Sequence, residues 1–455
     1  MKKLIYFLFV CYPILILGQQ IELSKSEIID SVYVSKGSKE SYALYIPNQF
    51  DNSKLSPIVF IFEPMARGKI GIHPFIKAAE EYGYILVCSN NSRNGPFNQN
   101  FKIANRLFEK VFSDFSIDPK RIYTAGFSGG ARLASTIAIL TQQIQGVIAC
   151  GAAFSSYQIG FPDTIDFSYA AIIGDEDMNL LEMYKTKDYI TELKVSNQLF
   201  VYEMNHKWPS QDQTLFAFDW LEIEAYRKAI IPINKIKIKT IYTSYYEKAK
   251  KLEIDNNLLF AVDEYQRIIK TFDKYFKLDS ITNTLNKLNK NKKLKKEKKE
   301  LKSIFEKEII LRNMFSGRFG KDIDKKNINL KWWESEINKL KKEETSAKSN
   351  KKKMFYRLMY NIFSMAIETV NFGEGASSID QAIFCYDICL IVYPKYKFLY
   401  YKQAENYIFK ENPEKALDYL EKLISLGYNN MKAIKENKAF DSLKNNIRFI
   451  ELTKI

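Results

Sequence analysis

Histidine is the scarcest side chain here, with two copies, His73 and His206, in 455 residues. Two histidines and scattered cysteines leave no ligand set for a zinc site. Five cysteines in this length exclude a disulfide-built scaffold. There is no phosphate loop and no dinucleotide fingerprint, so no cofactor is expected. Beyond the first residues no run of 18 apolar side chains occurs, and a soluble mature chain is expected. Global disorder is excluded by the 46% hydrophobic content, with 29 Tyr and 32 Phe.

The chain begins like a secreted protein. Lys2 and Lys3 precede the apolar run Leu4–Leu17, which is too short to span a membrane, and Gly18 offers a small residue for cleavage. Residues 1–18 therefore read as a signal peptide, with a secreted or periplasmic destination. Val10 before Cys11 fits a lipoprotein box poorly, so a lipid anchor at Cys11 is not expected. The other four cysteines, Cys88, Cys150, Cys385 and Cys389, are expected as buried free thiols.

The net charge of +15 is unevenly spread. Residues 1–235 carry 23 basic and 24 acidic side chains, and residues 236–455 carry 45 and 29. Nine lysines crowd Lys287–Lys302. Such a run reads first as the solvated face of a long helix with a poorly ordered start. If it binds anything, an anionic envelope surface suits a secreted protein better than nucleic acid does.

From residue 42, short apolar runs alternate with helical stretches. Strands are expected at 42–46, 58–62, 84–88, 121–125, 147–150, 169–173 and 198–202. Helices are expected at 74–82, 104–115, 130–140 and 214–226. This order predicts an α/β fold with a mostly parallel sheet over residues 20–235. No insertion between strands is long enough to form a lid, so an open cleft is expected.

After residue 236 the strands stop, and an all-α region with a Lys-rich helical insert at about 280–350 is expected. Ala249 and Ala261 are followed by Tyr265, Ala382 by Tyr386, and Ala404 by Tyr407 and Ala416. Ala382 and Ala416 stand 34 apart. On this spacing residues 243–273 and 365–430 resemble tetratricopeptide repeats, a generic helical bundle being the alternative. Repeats of that kind imply a protein partner or contact with the rest of the chain.

The segment Gly126-Phe127-Ser128-Gly129-Gly130 lies between an expected strand and an expected helix. That is the context a nucleophile elbow requires, with Ser128 exposed at the sheet top. The base and the acid should follow in the order Ser, Asp, His. Only His206 follows Ser128, since His73 precedes it. The acid should come from Asp175-Glu176-Asp177, after the strand at 169–173. Asp177 is preferred, because a turn from Gly174 would aim it back at the sheet edge, and Asp175 is the alternative. The oxyanion should meet the Gly129 N–H and a second N–H from the loop Glu63–Gly68. Pro64 has none to give, so Met65 is the candidate. In Ser89–Pro96, at the carboxyl edge of the sheet, Asn91 and Arg93 are substrate-binding candidates. The rival reading is a plain turn.

Residues 40–225 resemble secreted α/β-hydrolases of the polyhydroxybutyrate depolymerase and feruloyl-esterase-like group. The resemblance rests on Ile117-Asp118-Pro119-Lys120-Arg121-Ile122-Tyr123 before the elbow and on His206 followed by Trp208-Pro209. It implies hydrolysis of a small or polymeric carboxylic ester through Ser128, Asp177 and His206, with Trp208 beside the substrate. The chain departs from the group at Glu63-Pro64, where many relatives have His-Gly. A peptidase on the same fold and a silent hydrolase scaffold remain as rivals.

Overall fold

A computed structural model of the chain describes residues 24–154, 164–325, 328–347, 349–371 and 378–454. The expected signal peptide, residues 1–18, and Cys11 within it lie outside them. Eight strands form one sheet in the order β1-β2-β4-β3-β5-β6-β7-β8. These are β1 (Ile28–Tyr33), β2 (Ser41–Tyr45), β3 (Ser56–Phe62), β4 (Ile85–Ser89), β5 (Ile117–Phe127), β6 (Gly146–Cys150), β7 (Ser168–Gly174) and β8 (Asn197–Tyr202). β2 runs antiparallel to both its neighbours, and all pairs from β4 to β8 are parallel. The seven expected strands are present within a few residues of their expected ends. The edge strand β1 was not anticipated, because half its side chains stay in solvent.

Helices cover both faces of the sheet. They are α1 (Gly68–Ile72), α2 (Ile76–Tyr82), α3 (Phe97–Asp114), α4 (Gly129–Thr141), α5 (Leu180–Glu192) and α6 (Gln211–Arg227). Fully buried strands such as β4, β6 and β7 are apolar along most of their length because both faces are covered. This is the α/β-hydrolase fold. At the start of α6 the Ser210 hydroxyl accepts from the Gln213 N–H while the Gln213 side chain accepts from the Ser210 N–H, a capping box. That box fixes the chain just after His206.

The second half is helical. Its longer members are α7 (Lys235–Ile254), α8 (Leu258–Phe272), α9 (Asp279–Lys290), α10 (Lys292–Lys325), α11 (Leu330–Ser346), α12 (Ser349–Asn371), α13 (Ile379–Val392), α14 (Lys397–Phe409) and α15 (Pro413–Ser425). The core does not stop at residue 235. One continuous cluster runs from Ile61, Tyr123 and Trp220 on the sheet to Tyr245, Tyr265 and Phe272 on α7 and α8. The pairing edge of β8 is covered too. Arg267 donates to the Leu199 carbonyl at 2.8 Å and Lys270 to the Asn197 carbonyl at 3.1 Å.

The Lys-rich stretch is helical except at Asn291, and its start is ordered by Leu288 and Leu294, which reach the core. All nine lysines are exposed. Ala249, Ala261, Ala404 and Ala416 are fully buried, whereas Ala382 is only half-buried. Cys88, Cys150, Cys385 and Cys389 are buried free thiols.

Candidate active site

Ser128 stands between β5 and α4 with φ 51° and ψ −122°, a strained backbone for a residue with a side chain. Its N–H donates to the Cys150 carbonyl at 2.8 Å, which holds the turn against β6. The flanking glycines are sterically required. A Cβ on Gly126 would lie 2.3 Å from the Gly130 carbonyl, and one on Gly130 would lie 2.0 Å from the Phe62 carbonyl oxygen. Sharp turn and close packing together present the hydroxyl at the sheet edge.

His206 follows β8 and lies beside Ser128. Its Nε2 is 3.0 Å from Ser128 Oγ and its Nδ1 is 2.8 Å from Asp177 Oδ2. The Asp177 side chain is wholly buried and accepts from the Asn179 N–H at 2.8 Å through its other oxygen. The turn after Gly174 closes with the Asp177 N–H on the Gly174 carbonyl, aiming the carboxylate back as expected. Asp175 points elsewhere, its carboxylate ion-paired with Lys353. His73 is exposed on the short turn before α2.

The other wall of the site comes from the helical half. Tyr360 on α12 packs against the His206 ring with centroids 5.7 Å apart. Burial, and then the Asp177 charge, push its phenol up to about 12, so it stays neutral. Tyr356 meets the Asn205 amide at 3.4 Å. Below these contacts Arg357 and Glu308 form a wholly buried ion pair, and Arg357 also donates to the Asp175 carbonyl. Arg312 donates to the Met178 carbonyl at 2.6 Å. The expected open cleft is therefore corrected: α12 is the cover, supplied from more than 200 residues downstream of Ser128.

Between this cover and the sheet edge lies a cavity of about 360 Å³, in the range of small-molecule sites. Ser128, Gly129, Asn94 and Arg93 face it from one side, and Asn361, Met365 and Glu368 from the other. Arg132 also lines it but is held by Glu182 in a two-point pair. Arg93 and Glu368 are the lining charges without an ion-pair partner among the described residues.

Three expected site residues are placed differently. The Met65 N–H donates to the buried Glu63 carboxylate at 2.7 Å, as the Arg67 N–H does at 3.0 Å, so neither is free for an oxyanion. The Asn91 side chain accepts from the Ser41 N–H at 2.8 Å and fastens the loop to β2, outside the cavity. Trp208 packs on Phe127 and Phe75, with centroids at 5.2 and 5.8 Å, and supports the His206 loop without lining the cavity. Gly129 and Arg93 do face it. The residue that sequence reasoning passed over is Asn94. Its amide lies against Gly129, where a Cβ would come within 1.8 Å of Asn94 Oδ1. Its N–H on the Pro64 carbonyl, at 2.8 Å, fixes the loop there. The signal was its position in the same polar turn as Arg93.

No family model and no curated protein matches the chain. Among solved structures, part of the chain is similar to an S-formylglutathione hydrolase from Staphylococcus aureus. The identity is 13% over 44% of this chain and 98% of that one, with a TM-score of 0.36. It is similar also to a feruloyl esterase module from Clostridium thermocellum, at 13% identity over 42% of this chain and 87% of that one, TM-score 0.34. Est1E from Butyrivibrio proteoclasticus gives 12% over 44% of this chain and 99% of that one, TM-score 0.34.

Proposed function

We propose that the chain is a serine hydrolase acting on small carboxylic esters through an acyl-enzyme. The observation that carries this reading is the unbroken chain of hydrogen bonds from Ser128 through His206 to the buried Asp177. In this reading Ser128 Oγ attacks the ester carbonyl while His206 Nε2 takes its proton. Asp177 holds the Nδ1–H and steadies the imidazolium. The tetrahedral oxyanion is met by the Gly129 N–H, which the first turn of α4 leaves without a helical partner, and by the Asn94 side-chain amide. His206 then protonates the departing alkoxide as the acyl–oxygen bond breaks. Water, deprotonated by the same imidazole, releases the acid and restores Ser128.

The cover formed by α12 favours a small ester over an extended peptide or a polymer, because it bounds the cavity on the side a long chain would need. The targeting segment adds an extracytoplasmic setting. The fully buried Ala249, Ala261, Ala404 and Ala416 support tetratricopeptide-like hairpins in the helical half, whose work in this reading is to hold α12 in place.

Short-chain p-nitrophenyl esters and a fluorophosphonate probe test the proposal. Wild type should turn over the esters and take the label. Ser128→Ala should lose the label and about 10⁶-fold in kcat, the loss typical of a removed nucleophile. Equal turnover by both proteins rejects the assignment.

A further inference from the structure

A second cavity, of about 390 Å³, lies where β8 and α5 face helices of the second half. It does not touch Ser128 or His206. Its charges are unbalanced. Three cations on its wall are already matched: Arg267 with Glu264, Lys353 with Asp175 and Arg357 with Glu308. Three others have no carboxylate within ion-pair distance among the described residues. Lys187 has no recorded partner, Lys270 donates to the Asn197 carbonyl and Lys298 to the Asn289 side chain. The remaining acid on the wall is Asp263, an exposed carboxylate with Lys187 and Lys298 as neighbouring charges, so it offsets at most one of the three. Burial first, and then the neighbouring Lys187, hold the Lys270 ammonium below its ordinary range, with Glu224 acting against them.

A second observation is independent of charge. Gln198 on β8 is 9% exposed, lines the cavity, and its Nε2 has no hydrogen-bond partner. An amide donor left unpaired in a buried position costs about 1–3 kcal/mol and calls for an acceptor. It stands next to Asn197, whose carbonyl receives Lys270. The rest of the wall is apolar, with Tyr184, Phe260 and Phe305.

We propose that this cavity binds a small organic anion: a carboxylate or phosphate head on Lys187, Lys270 and the Gln198 amide, with a short apolar group against Tyr184, Phe260 and Phe305. The ligand would bridge the two halves beside Asp175, two residues from Asp177. The site stands whether or not the ester-hydrolase reading holds, because none of its residues takes part in that chemistry.

Calorimetric titration of the full chain tests it, with octanoate, inorganic phosphate and octylamine as probes. Octanoate should bind, octylamine should not, and phosphate tells whether the head group suffices alone. Lys187→Met and Lys270→Met should each weaken octanoate at least tenfold while leaving p-nitrophenyl ester turnover unchanged. Arg93→Ala, in the other cavity, should leave octanoate affinity as it is. Gln198→Glu, close in shape, should abolish binding by placing a carboxylate against the head group. Lys187 and Lys270 are both exposed, so neither variant removes a buried side chain. Octanoate affinity that ignores Lys187→Met and Lys270→Met, or that falls with Arg93→Ala instead, overturns the proposal. So does octylamine binding as tightly as octanoate.

Discussion

Two walls face each other across Ser128, and they were built by different rules. The sheet wall is made of residues whose roles are set by near neighbours: a glycine-flanked serine, a turn after Gly174 and a histidine after β8. The helix wall is a stretch of α12, whose Asn361, Met365 and Glu368 face the cavity and which distant ion pairs help to fasten there. In the proposed reading, chemistry resides on the first wall and access on the second. Substitutions on the sheet wall should therefore change rate constants, and those on the helix wall should change stability and selectivity.

The largest effect after loss of the nucleophile separates two aspartates two positions apart. Asp177→Asn keeps the shape but presents the wrong hydrogen-bond pattern to His206 Nδ1, and should lower kcat about 10⁴-fold. Asp175→Asn loses its pairing with Lys353 on the helix wall and should lower kcat by less than about tenfold. Steady-state kinetics on one ester measures both. Similar losses from the two would mean that the walls do not divide the work in this way.

Next comes the fastening of the helix wall. Arg357 and Glu308 are 2% and 0% exposed and Glu308 is shared with Arg312, so it is removal of Glu308 that leaves Arg357 charged and buried. Glu308→Leu should cost about 3–5 kcal/mol in urea unfolding, the range for breaking a buried pair. The double variant Arg357→Met with Glu308→Leu should recover much of that loss, since the desolvation of both charges disappears together. A loss below about 1 kcal/mol in the single variant would show α12 to be held by other contacts.

The sheet wall was legible because its signals are local. Gly-x-Ser-x-Gly between strand and helix, and His206 as the one histidine after Ser128, needed no knowledge of the rest of the chain. Gly174 to Asp177 needed only turn geometry. The helix wall was not legible. The period of α12 shows an amphipathic helix but not what its apolar face meets, and no insertion marks it as a cover. Three misplacements on the sheet side share one cause. Met65, Asn91 and Trp208 lie near the site in sequence, but Glu63, the Ser41 N–H and Phe127 take up their groups. The compositional boundary at residue 235 follows surface charge, while the core beneath it runs on into α7 and α8.

Asn94 sharpens the comparison on the sheet wall. Removing one preorganised oxyanion donor lowers kcat about 10²–10³-fold. Asn94→Ala should fall in that range with KM little changed, because the bond forms in the transition state. Asn94→Asp should be no better, since it sets an acceptor against developing negative charge. A rise in KM with kcat preserved would make Asn94 a ground-state contact and return the second donor to the loop after β3.

The smallest effect crosses the cavity itself. Arg93 stands on the sheet wall and Glu368 on the helix wall, each lining the site without an ion-pair partner among the described residues. Glu368 accepts a hydrogen bond from the Ser364 hydroxyl at 2.7 Å. Exposed charges of this kind contribute about 1 kcal/mol to a pairing, or roughly fivefold in kcat/KM. For an ester carrying a free carboxylate, Arg93→Ala should lower kcat/KM about fivefold, and Glu368→Gln should raise it by a similar factor. An uncharged ester of the same size should be indifferent to both, and 0.5 M salt should shrink both effects. Opposite signs would show the two walls reading one substrate from two sides. Equal signs would place the substrate against one wall only, and would reduce α12 to a cover without a part in recognition.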